Sequence, residues 1–238
     1  MVLLVSALGA VRVPTADGEA ANPWFTLSYL RDNRHEFLTA LQEHVTLTVE
    51  TVLIAVVIAF PLALLAHRNR WLVGPVLGGT GVLYTIPSLA LFAFLAPFTG
   101  LTKKTVLIGL VMYALLVLVR NMLAGLDGVP EEVRESARGM GFGPLRMLWR
   151  IELPVALPTI MAGVRVATVS TVALVTVGAI VGPGGLGTLL LAGLRNNFYH
   201  AEILTAALAT VLLGLVADLV LAGLTRLLTP WSRSRSTS

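Results

Sequence analysis

Most residues in this chain that could do chemistry lack the company that chemistry needs. The segment Gly182–Gly187 reads G-P-G-G-L-G and fits the G-x-G-x-x-G pattern, whose glycines let backbone approach a pyrophosphate. That site needs a strand before it, a helix after it and an acid about twenty residues on. Glu202 falls near that distance, but an apolar helical run precedes the glycines. The segment therefore reads as a tight turn with exposed backbone. No G-x-x-x-x-G-K-[ST] loop occurs anywhere, so the chain is not expected to bind ATP itself. His35, His44, His67 and His200 are scattered at the edges of apolar runs, without H-E-x-x-H or comparable spacing. They are expected to be interfacial histidines. There is no cysteine, which excludes disulfides, thiolate metal sites and a thiol nucleophile. No catalytic residue and no metal site are expected.

Arg165 and Asp218 are different. Both lie inside long apolar runs, where a charge is costly and implies a partner or a role. Asp218 is eight residues from Arg226, about 12 Å along a helix, and Arg165 is eleven residues from Pro154, about 16 Å. Their depths are comparable and their charges opposite. They are expected to meet as an intramembrane ion pair rather than to bind substrate, because a lone buried charge costs several kcal/mol.

The elements that must position these residues are apolar helices. Of the 238 residues, 56% are hydrophobic and 13% charged, with mean hydropathy +0.84. A soluble domain carries about 25% charged residues, so the chain belongs to the membrane class, and its basic balance (net charge +4) does not imply nucleic acid. The runs predict spans over 47–66, 71–98, 105–123, 155–181 and 201–228. The second is long and interrupted by Gly78, Gly79, Gly81 and Pro87. It has room for a re-entrant bend or two short helices, which would give six crossings instead of five. Residues 29–45 are amphipathic, with Leu30, Phe37, Leu38, Leu41 and Val45 near helical spacing; they predict an interfacial helix on the outer surface. Residues 1–28 read as a poorly ordered leader, 29–230 as the membrane domain and 231–238 as a cytoplasmic tail.

One polar stretch stands between the third and fourth runs. Residues 135–154 read E-S-A-R-G-M-G-F-G-P-L-R-M-L-W-R-I-E-L-P. Pro130, Glu131 and Glu132 form a helix-start signature, with a fixed φ and then acids at the positive end of the dipole. Two turns over 133–140 should follow, ended by Gly139, Gly141, Gly143 and Pro144. Ala137 and Gly141, both small and four apart, are expected to share a face open to close approach. With this loop inside, ten basic residues fall on the inner side and six on the outer. That agrees with positive-inside, although Lys103 and Lys104 run against it. The N-terminus is then outside and the C-terminus cytoplasmic.

The spacing Glu135, Ser136, Ala137, three residues, Gly141, nine residues, then Ile151, Leu153 and Pro154 resembles the signature loop of ABC-importer permeases, with Ser136 for the first alanine of E-A-A. Four segments resemble the branch that carries glycine betaine, carnitine and choline: 85–90, 120–128, the loop continuing into Ala162–Arg165, and Gly182–Gly187. Methionine and other amino-acid permeases share much of this frame. The resemblance implies an all-α membrane protein with the type I importer transmembrane domain and a cytoplasmic coupling helix. It also implies two copies of an ATPase subunit using ATP and Mg, and a second permease chain, identical or a paralogue. An extracytoplasmic substrate-binding protein and a bacterial plasma-membrane location complete the expectation, with no nucleic-acid partner and no cofactor on this chain. Tyr84, Phe92, Phe94 and Tyr113 are candidates to line the pathway. A channel or secondary transporter working without ATP would have no use for the loop.

Overall fold

The computed structural model describes residues 22–24 and 26–231; most of the expected leader, Phe25 and residues 232–238 of the expected tail lie outside the described residues. A short helix α1 (Leu27–Asp32) leads into α2 (Arg34–Arg68). After one 3-10 turn come α3 (Val73–Thr85), α4 (Ser88–Thr99), α5 (Lys103–Asp127) and α6 (Glu131–Gly139). A four-residue helix α7 (Pro144–Met147) and a π-helical turn (Leu148–Glu152) run unbroken into α8 (Leu153–Gly178). Then follow α9 (Leu186–Arg195) and α10 (His200–Leu228). No strand occurs among the described residues.

Four helical runs are long and apolar enough to cross a membrane: α2, α5, the continuous Pro144–Gly178 and α10. The expected second span is a helix pair bent by 95°. The bend sits at Ile86–Pro87, both extended, with ψ of 126° and 134°. Proline drives its predecessor out of the helical region, and its missing N–H opens the ladder. The freed carbonyl of Ile86 accepts a hydrogen bond from the Tyr113 hydroxyl.

At 35 residues, α2 is roughly 52 Å long at 1.5 Å per residue, well beyond the ~30 Å hydrocarbon core. It absorbs most of the amphipathic segment, so the expected interfacial helix over 29–45 is not formed. Phe37 and Leu41 of its apolar stripe pack with buried Ala40 against Leu186, Leu189 and Ala206 instead of lying on lipid.

Helix α5 is the centre of the bundle. Ala55, Ala59 and Ala63 on α2 recur every four residues, are fully buried, and pack in one cluster with Leu115, Leu118 and Met122 of α5. Helices in lipid gain little from hydrophobicity, so small side chains that let backbones close up are the favoured contact. A second cluster joins Leu47, Phe92, Val106, Leu110 and Val175. Phe92 fills the space that glycine leaves at 109, where a Cβ would stand 2.5 Å from the ring.

Helix α9 has no counterpart among the predicted spans. After α8, the Gly182–Gly187 turn folds the chain back, and α9 leans on α8, α2 and α10. The turn is as tight as its glycines suggest: a Cβ at Gly187 would lie 2.5 Å from the Thr176 backbone, and one at Gly185 2.6 Å from that of His44.

Candidate functional site

The polar stretch folds into a capped and clamped helix. Glu131 begins α6, with Pro130 as its N-cap residue, so the helix starts two residues before the predicted 133 and ends at Gly139. Gly141 is not on its face. It lies beyond the end with φ +78°, donating its N–H to Arg138 O at 2.9 Å, while Phe142 N–H reaches Ala137 O at 3.0 Å. These two bonds are the Schellman closure, which uses the carbonyls the last turn would leave free. Gly139 and Gly143 have helical or extended backbone and open space around them, so neither is demanded as Gly141 is. Ala137 is buried, Ser136 donates to Glu132 O at 2.7 Å, and Glu135 is exposed.

Charges tie the base of α6 to α5 and to the turn that opens α8, and α2 joins them through His67. Arg134 donates to Leu126 O of α5 at 2.7 Å, and its Nε lies 3.2 Å from Glu152 Oε1. His67, at the end of α2, stands between two carboxylates: Nδ1 is 2.6 Å from Asp127 and Nε2 3.8 Å from Glu152. Arg70 adds a second contact to Asp127 at 3.3 Å. On the exposed side Glu131 accepts from Arg138 at 2.9 Å and from Arg134 at 3.3 Å. Desolvation raises the Glu131 pKa, but the hydrogen bonds and charges of Arg134 and Arg138 together outweigh it and hold the carboxyl below its ordinary value. The ends of α2 and α5, helix α6 and the start of α8 thus form one unit. A cavity of about 380 Å³ opens beside it, lined by His67, Arg138, Phe142, Pro144, Met147 and Glu152.

Ile151, Leu153 and Pro154 occupy the π turn and the first turn of α8. Pro154 has no N–H to give to the carbonyl four residues back, and a π register relieves that mismatch. Glu152, the unspecified residue inside I-x-L-P, is buried and is the acid that both His67 and Arg134 face. The motif is silent on it because the pattern leaves that position open. The exposed tips of the loop are apolar: Met140, Leu145 and Trp149.

The remaining candidate residues separate. Arg165 and Asp218 meet between α8 and α10, with Nε–Oδ1 and Nη2–Oδ2 both at 2.8 Å. Phe92 is fully buried among Leu47, Val106, Leu110 and Val175. Tyr113 is buried and bonded at the helix break, with its ring edge-on to exposed Tyr84 at 5.7 Å. Phe94 is exposed beside Phe98 at 5.6 Å. His44 corrects the interfacial reading. It is wholly buried, with Nε2 3.0 Å from Val172 O and Nδ1 3.3 Å from the Leu186 N–H. A carbonyl must accept and an N–H must donate, so the proton sits on Nε2 and Nδ1 is bare.

Residues 52–234 match the family model described as the binding-protein-dependent transport system inner membrane component. The chain belongs to this family. As such it is a permease component of a transporter, and the capped helix α6 lies within the matched residues. It is 35% identical to the choline transport system permease protein of Bacillus subtilis, over 88% of this chain and 96% of that one. Identity to the glycine betaine/carnitine/choline transport system permease protein of the same organism is 36%, over 87% of this chain and 91% of that one. For the osmoprotectant import permease protein of Salmonella typhimurium it is 36% over 86% and 97%. Among solved structures, a chain of an inward-facing methionine ABC transporter superposes with TM-score 0.74 at 20% identity, covering 83% of this chain and 98% of that one. The fold is the type I ABC-importer transmembrane domain.

Proposed function

We propose that this chain is the membrane-spanning subunit of an ATP-driven importer for quaternary-ammonium osmoprotectants such as glycine betaine, choline and carnitine. The observation that carries the substrate class is the run of relatives named for those compounds, aligned along nearly their whole length. The mechanism rests on α6. A helix closed by a left-handed glycine cap and clamped to α2, α5 and α8 moves as a rigid lever, and the exposed Met140 and Leu145 give it an apolar surface for a groove on another subunit. ATP and Mg belong to two copies of a separate ATPase subunit. Two permease chains, identical or paralogous, form the pathway, and an extracytoplasmic binding protein delivers substrate. The N-terminus lies outside and the C-terminus in the cytoplasm, with α6 facing the ATPase.

The test is uptake of radiolabelled glycine betaine, choline, carnitine, proline and methionine by the reconstituted complex, with and without ATP. ATP-dependent uptake of the quaternary compounds is expected. Uptake of proline or methionine in their place would overturn the substrate class, and uptake without ATP would overturn the importer.

A further inference from the structure

The Arg165–Asp218 pair is closed on itself yet not sealed. Its side chains are 36% and 31% exposed in the chain, although both residues lie well within apolar helices. A charge at that depth faces protein or a water-filled path rather than lipid. What it faces is a groove of about 460 Å³ whose other walls are Ala162, Val166, Val169 and Ser170. That volume falls in the ~300–1,000 Å³ range of small-ligand sites.

The geometry of the pair leaves binding capacity on both partners. Arg165 uses Nε and Nη2 on the carboxylate, and its Nη1 carries two further donors with no bond among the described residues. Each Asp218 oxygen accepts one of those bonds and keeps a second lone pair. A ligand carboxylate can therefore add at Nη1 while a ligand cation settles beside Asp218, without the pair opening. Only a ligand with both charges uses both halves; a simple cation or anion meets one attraction and one repulsion. Apart from Ser170 the remaining walls are aliphatic and accept methyl groups, and no aromatic residue lines the groove among the described residues. Partly exposed charges that already neutralise each other attract weakly, as a site passed during transport requires.

We propose that Arg165 and Asp218 form a low-affinity transit site for zwitterions in which a carboxylate and a quaternary ammonium are linked by a short chain. The proposal rests on the osmoprotectant reading above and assigns the part of that substrate class that this wall recognises.

The chain has no cysteine, so Ser170→Cys places one thiol in the groove. In the permease–ATPase complex in nanodiscs, glycine betaine at tens of millimolar is expected to slow alkylation of that thiol at least threefold. Choline and sucrose at equal osmolality should slow it much less. Adding Arg165→Lys, which keeps a cation for Asp218 but removes the spare fork donors, should abolish the glycine betaine effect. Equal protection by choline and glycine betaine, or protection unchanged by Arg165→Lys, overturns the site. So does a thiol that is unreactive without ligand, or that cross-links to a second copy, because the groove is then a subunit contact. Uptake by the wild-type complex separates the two readings. If glycine betaine is transported and the thiol is unprotected, only the transit site falls. If no quaternary compound is transported, both fall.

Discussion

Gly141 shows what a single position contributes. Its φ of +78° costs an L-residue roughly 1–2 kcal/mol, with asparagine the least penalised, and nothing crowds the Cβ position. Substrate uptake per ATP hydrolysed should therefore fall in the order Gly, Asn, Ala, Val at 141, while Gly139→Ala stays near wild type. A flat series would show that the cap does not matter. The motif's fixed glycine was legible in the sequence, but the reason was not: spacing alone suggested a shared face with Ala137, and only the backbone shows a left-handed cap. Glu152 was hidden for the opposite reason, since a position free to vary carries no signal until the fold brings Arg134 and His67 to it. Glu152→Gln and Arg134→Gln should each destabilise the purified complex, and the double variant should lose less than the sum. The coupling energy expected for residues in contact is about 0.5–3 kcal/mol, and a thermal-unfolding double-mutant cycle measures it. Strictly additive losses would remove the clamp. The Glu131 carboxylate favours order above the ordinary carboxylate range, and that contribution disappears only as pH falls through its lowered value. Hydrogen-exchange protection of α6 should thus be unchanged by Glu131→Gln at acid pH and reduced by it at neutral pH.

At the scale of elements, the legible parts were those with a strong local cause. Long apolar runs gave α2, α5, α8 and α10, and Pro87 marked the weak point of the second segment. The 95° bend and its repair were not legible, because Tyr113 lies 27 residues from Ile86 in sequence and nothing local links them. If that hydroxyl holds the break together, Tyr113→Phe leaves a partly buried carbonyl unpaired and should cost about 1 kcal/mol, visible as a lower Tm in detergent. Tyr84→Phe, on the exposed partner ring, should cost much less. The short helix α9 was not legible because ten residues cannot span a membrane and its glycines resembled a simple turn. Its position depends on backbone contact with α8, so Gly187→Ala should lower folded yield sharply. Gly214→Ala, where the nearest atom is 3.8 Å away, should not.

For the whole molecule, the contacts between helix ends settle how the chain travels. The ends of α2 and α5 meet through His67 and Asp127, and the start of α8 joins them through Glu152. At the opposite level the start of α5 meets the end of α8, where a Cβ at Gly178 would touch Val106 at 2.7 Å and one at Gly182 would lie 2.9 Å from Thr102 O. Two helices that both finish at one level must be joined by a segment that returns to the other. The bent α3–α4 pair therefore joins the two levels despite its angle, which as one span would bring the four long helices to five crossings, with α9 an excursion at the far level. Lys103, whose charge runs against positive-inside, is 2.8 Å from Glu50 on α2. Single cysteines replacing Arg70, Lys103, Arg146 and Arg195 should label in, out, in, out with a membrane-impermeant maleimide, and one at Ser236, outside the described residues, should label in. Lys103→Cys is the deciding position. Labelling from the cytoplasmic side there would mean that α3 and α4 turn back at Pro87, and the five-crossing order would fail with the orientation of every later helix.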